Sequence, residues 1–184
     1  FAARYDFSDA FALRGSVQNG FRAPSLPQQF FATTSTNFIG GVPFDITTFP
    51  VTDPVAIALG ALPLEPEESI NYSLGAVFRV GEFNLTIDGY RIDVDDRIVL
   101  SENLGTSASA ADAAVRTFLA AQGFAGAAGC FFNDAATTET EGVDIVANYS
   151  LPDMAIGQFD LTASANFSST DVTRIPATPV LSAL

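Results

Sequence analysis

The reactive groups of this chain are mostly carboxylates. Asp93-Val94-Asp95-Asp96-Arg97 sets acids at the first, third and fourth positions of a short run, and Glu139 and Glu141 add two more at a spacing of two. Paired carboxylates can do general acid–base work when their surroundings separate their proton affinities. A run of oxygen ligands can also hold calcium, but here Arg97 and Ile98 stand where an EF-hand needs glycine and later a glutamate. The run reads as a solvated strand end with Arg97 pairing locally. A hydrolase built on Asp93, Asp95, Asp96, Glu139 and Glu141 gains no support from the rest of the chain. Histidine is absent, so Ser-His-Asp and Cys-His nucleophile systems cannot be assembled. Zinc would lack imidazole or multiple thiolates, and neither standard glycine-rich phosphate loop occurs. The one cysteine, Cys130, excludes an internal disulfide framework; it reads as a small apolar loop residue, with a partner elsewhere as the alternative. No catalytic residue, metal ligand or cofactor is assigned, and an enzyme is not expected.

Two other sets of residues suit non-covalent work. Gln28, Gln29, Phe30, Phe31, Asn37 and Phe38 combine amides with aromatic rings, the usual lining of a ligand site. The competing reading is that these phenylalanines pack loops against one another. Arg4, Arg14, Arg79, Asp88, Asp144 and Asp160 fall on the polar sides of alternating segments. Four Asn-x-Ser/Thr sequons, at Asn71, Asn84, Asn148 and Asn166, sit mid-strand on those polar sides and read as coincidence rather than glycosylation.

The balance of 8 basic and 21 acidic residues gives a net charge of −13. Nucleic acid is therefore an unsuitable partner, and an anionic membrane surface no better as an electrostatic target. Hydrophobic residues make up 48% of the chain and mean hydropathy is +0.28. Yet no run approaches the ~18 consecutive apolar residues of a membrane helix. High hydropathy without a hydrophobic run is what a membrane β-barrel gives, since its apolar residues are spread one in two. An ordinary β-sandwich also alternates.

The elements follow from that period of two. In 158–169, Phe159, Leu161, Ala163, Ala165 and Phe167 share one side, opposite Asp160, Thr162, Ser164, Asn166 and Ser168. The same alternation covers 1–6, 11–18, 70–80 and 142–151. From Phe83 the apolar set is Phe83, Leu85 and Ile87, and after Gly89 it becomes Tyr90, Ile92 and Val94. A phase slip at glycine predicts a β-bulge, or a strand leaving the bilayer. About six strands result. They are joined by tight turns near Asp6–Asp9, at Val80-Gly81-Glu82 and at 152–157, and by long segments over about 21–68 and 95–139. Short and long connections in alternation are the rule for outer-membrane barrels, with brief periplasmic turns and long extracellular loops; a sandwich rarely carries two such loops. Tyr72, Phe78, Phe83, Tyr149 and Phe159 near strand ends would form aromatic girdles. In the second long segment Ser109 and Asp112 have capping-box spacing, Ala111, Val115, Phe118 and Leu119 recur helically, and Gly123 can end the helix. A disordered alanine-rich loop is the alternative there. Phe1 begins inside a strand pattern with no signal peptide visible, so the chain reads as a piece of something longer.

Four motifs then occur in order. Phe21-Arg22-Ala23-Pro24-Ser25-Leu26 lies within Arg14-Gly-Ser-Val-Gln-Asn-Gly-Phe-Arg-Ala-Pro-Ser-Leu-Pro-Gln-Gln-Phe-Phe. Leu64-Glu65-Pro66-Glu67 opens the next strand. Asp88-Gly-Tyr-Arg-Ile-Asp-Val-Asp-Asp-Arg and Thr138-Glu-Thr-Glu-Gly-Val-Asp-Ile follow. Together they resemble the barrel signatures of TonB-dependent outer-membrane receptors, with Glu65 standing where that family usually carries lysine or arginine. Pro24 and Pro66 would fix the angles at which the external segment leaves and rejoins the strands, and Gly142 would mark a close backbone approach. The resemblance implies an all-β fold, part of a 22-stranded transmembrane antiparallel up-and-down β-barrel, with long extracellular loops and a short loop helix. Residues 1–184 would be about a quarter of that barrel, with plug domain and remaining strands elsewhere. It implies residence in the outer membrane of a Gram-negative bacterium, among outer-membrane lipid. The implied function is uptake of a scarce small-molecule or glycan ligand (ferric siderophore-like, cobalamin or oligosaccharide), energised through TonB, with the protein's own plug as partner. Arg4, Arg14, Arg79, Asp88, Asp144 and Asp160 would face the lumen. The reading that competes is a soluble or surface-attached β-sandwich for binding or adhesion.

Overall fold

The computed structural model describes residues 1–39, 41–152, 157–175 and 179–183. In chain order its strands are β1 (Ala2–Ser8), β2 (Phe11–Arg22), β3 (Thr33–Ile39), β4 (Val42–Phe49), β5 (Glu67–Val80), β6 (Phe83–Leu100), β7 (Gly129–Ser150) and β8 (Asp160–Arg174). Its helices are α1 (Leu26–Phe30), α2 (Pro54–Ala58), α3 (Ala110–Ala121) and α4 (Pro179–Ser182). Among the described residues no helix is long and apolar enough to cross a membrane. The chain divides into two units, one of Phe1–Phe21, Glu68–Asp95 and Thr137–Thr173, the other of Arg22–Glu67, Asp96–Ala136 and Arg174–Leu184.

The first unit is a meander in the order β1-β2-β5-β6-β7, with β8 on β7. Short connections join the neighbours β1–β2, β5–β6 and β7–β8, and the long segments join β2 to β5 and β6 to β7. β1 and β2 pair antiparallel with a register shift between Asp6 and Ser8, so their turn falls at Asp9–Ala10, later than the residues around Asp6 suggest. Gly81 and Glu82 make the β5–β6 turn. Of the expected turn over 152–157, residues 153–156 lie outside the described residues. The bulge expected at Gly89 is absent. β5 and β6 pair without interruption from Glu68↔Asp95 to Val80↔Phe83, and Leu74↔Gly89 is an ordinary step. Leu85, Ile87, Gly89, Arg91 and Asp93 therefore all lie on one face. What changes near Gly89 is the polarity of the residues, not the phase of the strand.

The second unit has its own core. Phe49, Val51, Leu59, Leu104, Val115, Leu119 and Phe131 are buried together. β3 and β4 form an antiparallel hairpin from Thr33↔Thr48 to Ile39↔Val42. β4 then runs parallel to the start of β7, pairing Thr47↔Gly129 and Phe49↔Phe131. A Cβ at Gly129 would collide with the Thr47 carbonyl and the Phe49 ring, so only glycine lets the two backbones approach. Cys130, 3% exposed, lies beside the Thr48 hydroxyl as a small core residue. The helix expected after Ser109 is present: its hydroxyl accepts the Asp112 N–H, Val115 and Leu119 are buried, and Gly123 follows at φ +91. The return half of the capping box is not made. The Asp112 carboxylate instead accepts the Gly105 and Ser107 N–H groups at 2.7 and 2.9 Å and the Ser107 hydroxyl.

Candidate functional site

On the polar face of the first unit, Arg4, Arg14, Asp88, Asp144 and Asp160 have polar partners within the sheet. Arg14 donates to Asp88 through both Nε, at 2.8 Å, and Nη2. Arg4 pairs with Asp6 at 2.7 Å. Asp144 accepts from Asn166 Nδ2 at 2.6 Å, which also reaches the Tyr90 hydroxyl, and Asp160 accepts from the Ser150 hydroxyl at 2.6 Å. Arg79 lies on the same face by register, opposite Asn84. The ladder continues through Ser16 with Ser73 and Thr162 with Asn148, both at 2.8 Å. Cross-strand polar pairs of this kind hold a sheet whose face must carry charge.

The opposite face is apolar and uncovered among the described residues. Leu74 (67%), Leu161 (56%) and Phe167 (66%) are exposed. Near the short-turn end, Tyr5, Phe7, Phe11 and Phe78 touch in sequence, edge-on, stacked and tilted in turn, with ring centroids 4.7, 5.3 and 4.9 Å apart. Beyond Gly89 this face turns acidic. Arg91 bonds Asp93 at 3.1 Å, Glu139 at 2.6 Å and, more loosely, Glu141 at 3.5 Å, while Asp95 accepts from Thr137. The structure thus brings together three of the carboxylates considered for hydrolysis, around an arginine that spacing alone did not single out. Among the described residues no group of acids, cysteines or histidines is placed to hold a metal ion.

In the second unit the motif residues have a structural use. Arg22 donates to Glu67 through Nε at 2.7 Å and Nη2 at 2.5 Å. The Glu67 carboxylate, only 8% exposed, also accepts the Ile98 N–H at 2.8 Å. The Arg22 hydrogen bonds hold its carboxyl below the usual glutamate range, against burial, with the Ile98 N–H and the Arg97 charge helping. Nearby, Asp134 accepts the Glu65 N–H at 2.6 Å. Burial raises the Asp134 carboxyl, that N–H opposes it, and the Asp96, Glu65 and Glu67 charges add to the rise. Asp96 itself takes a left-handed turn, φ 51, where the β5–β6 ladder ends.

Pro24, Ser25 and Leu26 start α1. Ser25 caps it, and Gln28 Oε1 accepts the Ser25 N–H at 2.9 Å, closing a capping box. Gln29 donates to the Pro24 carbonyl at 3.0 Å. One polar atom of each glutamine is therefore committed to holding the helix. Phe30 (61%), Phe31 (50%) and Phe38 (74%) are exposed, as is Asn37, with Asn37 and Phe38 near the tip of the β3–β4 hairpin. Phe21 and Leu26 are exposed as well.

The family model described as TonB dependent receptor-like, beta-barrel, matches residues 1–183. No curated protein matches the sequence. Among solved structures, the siderophore receptor PirA from Pseudomonas aeruginosa is similar at 15% identity and a TM-score of 0.61, over 94% of this chain and 28% of that one. The copper transporter OprC is similar at 15% identity and a TM-score of 0.56, over 98% of this chain and 21% of that one. The chain therefore spans well under a third of the length of either.

Proposed function

The chain belongs to the TonB-dependent receptor β-barrel family, and from that premise we propose that it is a section of the wall and external loops of an outer-membrane active transporter. In this reading the apolar face of the first unit meets lipid, and the ladder of Arg4, Arg14, Arg79, Asp88, Asp144 and Asp160 faces a lumen filled by the protein's own plug. The observation that carries it is the contrast between the faces. One ties charged and polar groups together across strands, while the other leaves leucine and phenylalanine uncovered along the same strands. A soluble β-sandwich would bury that apolar face, so the adhesion-module alternative loses its support.

The short turns would be periplasmic and the segments 22–67 and 96–136 extracellular. Phe30, Phe31, Asn37 and Phe38 would make first contact with the ligand, with Gln28 and Gln29 chiefly supporting α1. The external unit offers rings and amides rather than soft metal donors: the whole chain has no histidine, one methionine and one cysteine, and that cysteine is buried. A ligand that is organic or a glycan, such as a ferric siderophore, cobalamin or oligosaccharide, fits better than a bare copper ion. Uptake would draw on TonB, acting on a part of the protein outside this section, and the work is transport rather than catalysis.

One experiment tests both halves in the intact protein. Leu74→Arg or Leu161→Arg should abolish outer-membrane assembly, since arginine on the lipid face costs about 2–4 kcal/mol near the midplane; Ser73→Arg or Thr162→Arg should be milder. A Phe30→Ala/Phe38→Ala variant should assemble normally yet weaken binding of whichever probe binds in a panel of ferric siderophores, cobalamin and oligosaccharides. Equal damage from both faces would refute the wall, and unchanged probe binding would refute the capture site.

A further inference from the structure

Glu67 does more than close a loop. Arg22 and Glu67 are the first and last residues of the segment 22–67 in the second unit, and their bidentate pair fixes its two ends together. The same carboxylate takes the N–H of Ile98, at the start of a second segment of that unit, 96–136. A second carboxylate makes the reciprocal link: Asp134, at the far end of 96–136, accepts the N–H of Glu65 beside the far end of 22–67. Each segment thus supplies an acid that binds a main-chain N–H of the other. Glu67 also holds the Arg22 guanidinium.

From this arrangement we propose that Glu67 is a clasp that couples the two external segments, so that releasing the Arg22 pair loosens both 22–67 and 96–136 together. The physical reason is that one carboxylate cannot keep its Ile98 bond in place if its own position is no longer fixed. Arg22 supplies both the charge that keeps Glu67 ionised and the two-point geometry that sets its orientation. A ligand that pulled on the exposed rings of 22–67 would then also disturb 96–136, although that segment carries none of those rings. The coupling rests on these contacts and not on the transport reading.

The test is amide exchange followed by mass spectrometry on the intact protein, folded in detergent or outer-membrane vesicles and checked for heat-modifiable mobility on gels. Glu67→Gln and Arg22→Lys should each speed exchange in 44–49 and also in 96–104. The expected rise is about tenfold or more, the scale of one lost charge-assisted hydrogen bond. The swap Arg22→Glu/Glu67→Arg restores an ion pair but removes the acceptor for the Ile98 N–H. It should therefore slow 44–49 again while leaving 96–104 fast. If Glu67→Gln does not assemble, Arg22→Lys carries the same comparison. Faster exchange confined to 22–67, or in neither segment, would overturn the coupling, as would a swap that restored both.

Discussion

At the scale of single residues, one tight constraint in the first unit is at Gly142. A Cβ there would lie 2.5 Å from the Tyr90 ring and hydroxyl and 2.9 Å from the Phe167 carbonyl oxygen. The ring can rotate away, but the carbonyl belongs to the backbone of β8 and can yield only if the strand shifts. Gly142→Ala should therefore reduce the heat-modifiable, assembled fraction of the intact protein, by an overpacking cost of about 1–3 kcal/mol. Adding Tyr90→Ala should recover only part of that loss, because the Phe167 contact persists. Full recovery would assign the constraint to the ring alone. The sequence marks Gly142 as a close-approach glycine through its motif, but names neither partner, since Tyr90 and Phe167 come from strands 52 residues before and 25 after. Arg22 and Glu67 are similar. Their motifs lie far apart in the chain, and the pair between them became visible only once 44 intervening residues had folded back. Gln28 and Gln29 carry a use that composition does not display: bonds at the start of α1 take part of their hydrogen-bonding capacity.

At the scale of elements, α3 is the piece that can be probed by itself. Its sequence carries cap, apolar stripe and terminating glycine, each a local signal, which is why the helix was legible before folding. β3 and β4 were not. Thr33-Thr34-Ser35-Thr36 has no apolar alternation, and the hairpin relies on hydroxyl pairs such as Thr34 with Thr47 at 2.8 Å and Thr36 with Asp45 at 2.6 Å. The apparent phase slip near Gly89 misled for a related reason: hydropathy records what surrounds a face, and that surrounding changes along one unbroken strand. Because Cys130 is buried in the second unit, next along β7 to Phe131 of the core that α3 completes, its labelling rate reports opening of that unit. Ser109→Ala should raise that rate several-fold, for a cap worth about 1 kcal/mol. Leu119→Ala should raise it far more, for a core truncation of about 2–5 kcal/mol. Acid should act through Asp112. Burial pushes its carboxyl up, but the Ser107, Gly105 and Ser109 hydrogen bonds outweigh this and hold it below the ordinary aspartate value. Its contribution is therefore complete above about pH 4, the unfolded value, and is lost as pH falls through the lower folded one. Labelling with a disulfide reagent active in acid should accelerate in that window, and Asp112→Asn should flatten the response. A loss of protection centred near neutral pH would contradict the assignment.

At the scale of the whole molecule, the separation of polar and apolar faces makes a demand that 184 residues cannot meet. β1 and β3 end the paired order of the sheet, and β8 joins it through β7 alone, so the outer backbone groups of these strands lack strand partners among the described residues. The apolar face adds exposed Tyr5, Phe7, Leu74, Leu161 and Phe167 to those edges. In a bilayer every backbone polar group must be satisfied internally, which only closure of the barrel achieves; in water, free edges beside uncovered apolar surface template association. A net charge of −13 opposes that association through repulsion, but the described acids lie on the polar face, in the short turns, in the second unit, or past Gly89, and leave the apolar band uncharged. Residues 1–184 produced alone in detergent-free buffer should therefore form β-rich aggregates whose formation speeds up with added salt as the repulsion is screened. The same residues within the intact protein should resist protease once assembled in membranes. A soluble, monodisperse monomer from the isolated 184 residues would mean that its apolar face is satisfied without lipid or further strands, and would undo the wall assignment from which the lumen-facing ladder follows.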